Sequence, residues 1–281
     1  MPEQRLIAAG LRFAEAPRWH SGALWFSDVH AYALKRVSEG GAVETVASVP
    51  GRPAGLGTLP DGRLLMATAL DRKLWSVAAD GTVSAQADLS AVATGLLNDM
   101  VVAGNGDAYV GDTGFNMSAG EKLRPGRLIH WRAGVPASVV AEDLVFPNGC
   151  VVAPDGSYLL IAETMAHRIT RFEIASGGSL GARSPFASLD SPPDGMCMDV
   201  GGAIWVALPL QGKFVRITQD GRIERSVSSM APFAVSCALG GPGRQTLFLC
   251  SAYTDLDRLA HGDTTARIDA LEVEHPGVGW P

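Results

Sequence analysis

The sequence predicts an all-β fold, a six-bladed β-propeller in which residues 1–281 form one domain. Three observations carry this prediction. A motif of Gly or Asp-Gly followed by a few apolar residues recurs six times, alternating segments follow its copies, and capped stretches of helical period are missing. The copies are 20–26, 61–66, 106–110, 155–160, 201–206 and 243–248. Their spacing, roughly 40 to 50 residues, is that of propeller blades.

Each element follows in order. The motif opens a strand, as in Asp61-Gly62-Arg63-Leu64-Leu65-Met66 or Gly201-Gly202-Ala203-Ile204-Trp205-Val206. A polar break comes next, then a period-two segment such as Lys73-Leu74-Trp75-Ser76-Val77 or Lys213-Phe214-Val215-Arg216-Ile217, the pattern of a half-buried strand. Asp80-Gly81, Gly177-Gly178 and Asp220-Gly221 supply the positive φ that a second tight turn needs. The unit is therefore hairpin upon hairpin, and radial stacking of six such units buries both faces of each. A pair of β-sandwiches would not group strands in fours at this period. Ring closure is expected between an early strand near Leu6 to Phe13 and the last strands near Ala266 to Glu274.

Composition narrows the function. Hydrophobic residues make up 47% and charged residues 19%, with a net charge of −6, which excludes a disordered chain. An acidic balance without a basic run gives no footprint for nucleic acid or an anionic membrane. No apolar run is long enough to span a bilayer and the N-terminus lacks signal-peptide features, so a cytoplasmic location is expected. Cys150, Cys197, Cys237 and Cys250 are far apart without a C-x-x-C pair and read as buried free thiols. Trp19, Trp25, Trp75, Trp131 and Trp205 read as packing between blades. Gly-x-Ser-x-Gly is absent, and no Ser-His-Asp order is assignable.

Four irregular segments precede first strands of blades, at the end that faces a propeller's channel: 13–19, 95–100, 145–150 and 192–199. Among apolar neighbours they carry Glu15, Asn98, Asn148 and Asp194, and an unpaired buried carboxylate or amide costs several kcal/mol. Two readings fit. These are turn residues, since Asn and Asp gather before Gly, or they converge on a hard cation. Oxygen-only donors favour Ca²⁺, Mg²⁺ or Mn²⁺ over Zn²⁺ or Cu²⁺, and the six histidines form no ligand cluster.

Glu15-Ala16-Pro17-Arg18-Trp19, Asn98-Asp99, Pro147-Asn148-Gly149 and Pro193-Asp194-Gly195-Met196-Cys197-Met198-Asp199 resemble, in order and separation, the motifs of the regucalcin (senescence marker protein), gluconolactonase and luciferin-regenerating-enzyme family. The similarity covers nearly the whole chain. It implies a six-bladed propeller with one divalent cation in the channel, Ca²⁺ foremost and Mn²⁺, Mg²⁺, Fe²⁺ or Zn²⁺ as alternatives. It also implies Glu15, Asn148 and Asp194 as metal ligands and Asn98 as the neighbour that contacts substrate or a bound water.

Such a site would open a lactone, a small-molecule ester, by polarising its carbonyl and activating a water. Asp194 is the first choice of base, with Asp99 or a metal-bound hydroxide as alternatives. Where family members resembling regucalcin carry an Arg two residues before the motif Asn, this chain has Leu96, which points to a substrate less polar than a sugar lactone. Phe115, Asn116 and Met117 are expected beside that substrate. A metal-assisted dehydratase or isomerase, and a non-catalytic metal- or ligand-binding propeller, are the competing readings.

Overall fold

Alternating segments bounded by glycine turns can bury one side only by pairing, and they pair here as consecutive hairpins. In the computed structural model, which describes residues 3–38 and 40–279, there are six four-stranded antiparallel sheets. Blades one to five span 14–48, 53–88, 97–144, 147–188 and 196–228, each with its strands in chain order. The sixth combines Phe233–Gly240, Thr246–Tyr253 and Thr265–Glu272 with the N-terminal strand Arg5–Leu11 at its outer edge. The expected closure is thus observed, with Arg5 opposite Ala270 and Leu11 opposite Ala266. Gly62 illustrates the turns: at φ 84° it closes a bond from its N–H to the Leu59 carbonyl at 2.9 Å.

The core lies in the seams between blades. Six apolar clusters each join two adjacent blades, for example Leu65, Ala67 and Leu74 with Leu97 and Met100 between blades two and three. Trp19 stacks on Phe248 across the closing seam, with ring centroids 5.5 Å apart. Trp25, Trp131 and Trp205 are buried in seam clusters, and Trp75 packs against one half-buried. All four cysteines are buried and free. Among the described residues no helix is long and apolar enough to cross a membrane.

First strands of neighbouring blades pack against each other and surround the axis. Glycines permit this approach: a Cβ on Gly149 would lie 2.5 Å from the Asp194 carbonyl oxygen, and one on Gly195 would lie 1.9 Å from Ser236 Oγ. The starts of the first strands therefore gather at one end of the channel.

Candidate active and metal site

The first strands of five blades carry a register shift near their starts, between Glu15 and Arg18, Pro53 and Leu56, Leu97 and Met100, Pro147 and Cys150, and Ala234 and Ser236. The segments expected to precede the first strands form those strands in three blades, and Glu15, Asn98 and Asn148 sit in them at or inside these irregularities, where the pleat is interrupted and a side chain can be re-aimed. Asp194 occupies the corresponding place just before the short strand Met196–Met198. Its N–H bonds the Ala207 carbonyl at 3.0 Å, and the next N–H, of Gly195, reaches Val235 in blade six.

The strand starts are clamped by acids that sequence reading missed. Asp28 ends the second strand of blade one and accepts the N–H groups of Arg12 and Phe13. Asp112 does the same in blade three for Thr94, Gly95 and Gly114, and Glu163 in blade four accepts from Val145. Each lies immediately across from the strand that bears Glu15, Asn98 or Asn148. The signal was present in the sequence as an acid closing each apolar second-strand run: Phe26-Ser27-Asp28, Val110-Gly111-Asp112 and Ile161-Ala162-Glu163. The segment from Gly111 reads as a loop in sequence, yet Gly111 and Asp112 belong to the strand Ala108–Asp112.

Three carboxylates meet at this end of the channel. Burial, then the charges of Asp194 and Asp99, holds Glu15 well above the usual carboxylate range. Asp194 is pushed up to about 8 by burial first and by Asp99 second, against a lowering hydrogen bond from Asn148. Asp99 is raised by burial, opposed by Arg18, whose Nη2 lies 3.0 Å from Asp99 Oδ1. Asp194 Oδ1 and Asp99 Oδ2 are buried without hydrogen-bond partners.

The amides are oriented by their donors. Asn98 Nδ2 donates to the Pro147 carbonyl at 3.1 Å and Asn148 Nδ2 to Thr164 Oγ1 at 3.2 Å, which leaves their carbonyl oxygens as acceptors. No group of three or more His, Cys, Asp or Glu side chains is set to hold a metal among the described residues. The donor set in this channel is of another kind: carboxylates with an amide oxygen, an unpartnered carboxylate oxygen among them. Acid groups raised by burial and, for Glu15 and Asp194, by neighbouring carboxylates, and short of partners, are the chemistry a hard cation satisfies.

Beside the acids opens a cleft of about 140 Å³, bordered by Glu15, Asn98 and Asp99 and walled by Phe13, Val29 and Met117. Leu96 is half-buried, with its carbonyl accepting from Thr113 N–H at 3.0 Å. Phe115 is buried edge-on against Phe146, and Asn116 caps a short 3₁₀ turn through the Ala119 N–H. Of that loop, Met117 and Ser118 border the cleft.

Known proteins share this architecture and sequence. The chain is 27% identical to a pentonolactonase of Haloferax volcanii over 99% of its own length and 96% of the relative's. It is 25% identical to a 6-deoxy-6-sulfogluconolactonase of Pseudomonas putida, a match that spans 56% of each chain. A solved calcium-binding protein, regucalcin from Agrobacterium tumefaciens, superposes with a TM-score of 0.84 at 21% identity, covering 98% of this chain and 95% of that one, and so shares the fold. The family model described as SMP-30/Gluconolactonase/LRE-like region matches residues 13–253, and the chain belongs to that family.

Proposed function

We propose that this protein is a divalent-cation-dependent lactonase whose ligands are Glu15, Asn148 and Asp194. The observation that carries the reading is the unpartnered, buried Oδ1 of Asp194 beside Glu15 and the Asn148 amide, at the end of the channel where the cleft opens. The lactonase names of the two sequence relatives support the reaction class. Oxygen donors of this kind suit Ca²⁺ best, with Mn²⁺, Mg²⁺, Fe²⁺ and Zn²⁺ as alternatives.

When bound, the cation supplies Lewis-acid polarisation of the lactone carbonyl and stabilises negative charge growing on its oxygen. The chain's own groups do the rest. Asn98, fixed by its bond to the Pro147 carbonyl, presents its amide oxygen to a substrate hydroxyl or to water. Asp194, with Oδ1 turned to the cation, takes the proton of the attacking water at Oδ2 and returns it to the ring oxygen as the acyl carbon–oxygen bond breaks, giving the hydroxy acid. Asp99 is the weaker candidate for this role, because its Oδ1 is held by Arg18 and the Met100 N–H. The apolar walls formed by Phe13, Val29 and Met117 favour a ring bearing few hydroxyls over a polyhydroxylated sugar lactone.

The test is acid release from a panel of sugar, aliphatic and aryl lactones by chelated protein refilled with each cation. Chelation should abolish turnover, aliphatic or aryl lactones should be opened faster than gluconolactone, and Glu15→Gln and Asp194→Asn should each lower kcat at least about 100-fold. Release of no acid from any lactone with any of the cations would overturn the reading.

A further inference from the structure

One residue position recurs around the mouth of the channel. In four blades the residue just before the first strand accepts, through its carbonyl, an N–H from the residue just after the second strand. The pairs are Val29 to Phe13, Ala69 to Arg52, Thr113 to Leu96 and Thr164 to Phe146, at 2.9, 2.9, 3.0 and 3.1 Å. Three of the four acceptors are apolar and one is an arginine. The family's Arg position, occupied here by Leu96 in blade three, thus has a cationic equivalent one blade earlier.

Arg52 is held there by its backbone. Its N–H bonds the Val49 carbonyl at 2.9 Å and its φ is 63°. The side chain borders the same cleft as Glu15 and Asn98. Its guanidinium has no hydrogen-bond or ion-pair partner among the described residues, and Nε is fully buried. A charged donor left buried and unmatched is costly, a cost that an incoming anion relieves. Arg18, not Arg52, is the cation that acts on Glu15 and Asp99, so Arg52 stands outside the ionic network of the channel floor. His30 borders the cleft as well, but burial, then Arg52 and Arg12, lowers its pKa, leaving Arg52 as the positive charge among the lining side chains at neutral pH.

We propose that Arg52 is a substrate-selecting residue that binds an anionic group, a carboxylate, carried on the far side of the lactone from its reacting carbonyl. The inference rests on the lactonase reading and narrows it: the substrate is a lactone with a largely hydrocarbon body and a free carboxylate. A guanidinium meets a carboxylate with two parallel N–H···O bonds, whereas Phe13, Val29 and Met117 offer the body only apolar surface.

The experiment uses two lactones of the same ring and chain, one ending in a carboxylate and the other in a primary amide, with the full-length protein loaded with Ca²⁺. The wild type should favour the carboxylate in kcat/KM. In Arg52→Met that ratio should fall about 10- to 100-fold, and Arg52→Lys should lie between, because a lysine keeps the charge without the fork. Calorimetry with the corresponding carboxylated lactam, which is not opened, should show a Kd weakened by a similar factor in Arg52→Met. Thermal unfolding checks that both variants fold, and if Arg52→Met does not, Arg52→Lys carries the comparison. An unchanged ratio and unchanged lactam affinity overturn the role of Arg52 while leaving the lactonase reading intact. If the wild type opens neither of these lactones nor any lactone of the panel above with any cation, the lactonase reading fails and the lactam decides Arg52 alone: equal affinity in both proteins overturns it, tighter binding by the wild type supports it.

Discussion

Arg18 shows how one side chain supports the site from beneath. Only 2% exposed, it donates from Nε to the Leu56 carbonyl at 2.8 Å, from Nη1 to Pro17, and from Nη2 to both Asp99 and the Met100 carbonyl. Those partners belong to the first strands of three blades, so a single guanidinium fixes their relative height. Removing it strands the Asp99 charge in a buried site. Arg18→Met should cost about 3–5 kcal/mol in urea unfolding, and Arg18→Met/Asp99→Asn should recover part of that loss. An additive double variant would show that the pair is not coupled. The residue types at the centre of the site were legible in the sequence, because oxygen-bearing side chains among apolar neighbours need a reason to be there. Arg18 was visible only as a letter within the first motif, since nothing in a linear sequence tells which distant carbonyls a guanidinium will reach.

At the scale of the strand pair, the acids closing the second strands of blades one, three and four set the position of the strands that bear Glu15, Asn98 and Asn148. Glu163 takes the Val145 N–H at 2.9 Å while Arg168 binds it with Nε and Nη2, each at 2.8 Å. Burial alone would raise its pKa, and the bonds from Arg168, Thr170 and the Val145 N–H outweigh that and lower it below the ordinary 4.5. A carboxylate depressed in the folded state stabilises the protein fully above its unfolded value and loses that contribution as pH falls through the folded value. Glu163→Gln should therefore be less stable than the wild type at pH 7 by about 1.5–3 kcal/mol, with the gap narrowing below pH ~4.5. Unfolding curves across pH 3 to 7 measure it, and a gap independent of pH would rule the mechanism out. The hairpin grammar made strands and turns legible from Gly and period-two alternation. The clamps were not, because an Asp at the end of an apolar run reads equally as the start of a turn, and only the register across the strand pair shows that Asp28, Asp112 and Glu163 face backward onto the preceding strand.

For the whole molecule, six countable turn motifs were enough to give the blade number, since each unit is incomplete without a neighbour against both of its faces. Closure was legible too, as an alternating strand left over at each end of the chain. The place of Arg52 was not, because it depends on matching positions between blades through backbone bonds that the sequence does not print. Closure also carries the last consequence. The strand Arg5–Leu11 completes a sheet whose other three strands come from the opposite end of the chain, and buries Ala8 and Leu11 against Phe248 and Ile268 in the closing seam. A chain beginning at Arg12 would leave Thr265–Glu272 as an open edge with its hydrogen-bonding groups free. Glu15 lies on the strand that flanks this seam, whereas Asp194 hangs on blades five and six through its neighbours Ala207 and Val235. Loosening the seam should therefore separate the two carboxylates and weaken cation binding together with the fold. Truncation should lower the unfolding temperature, shift elution on a sizing column toward larger species, and reduce the Ca²⁺-induced rise in unfolding temperature relative to the full chain. If the truncated protein elutes as the full chain does and gains the same stability from Ca²⁺, the N-terminal strand is an ornament on the ring and not its latch.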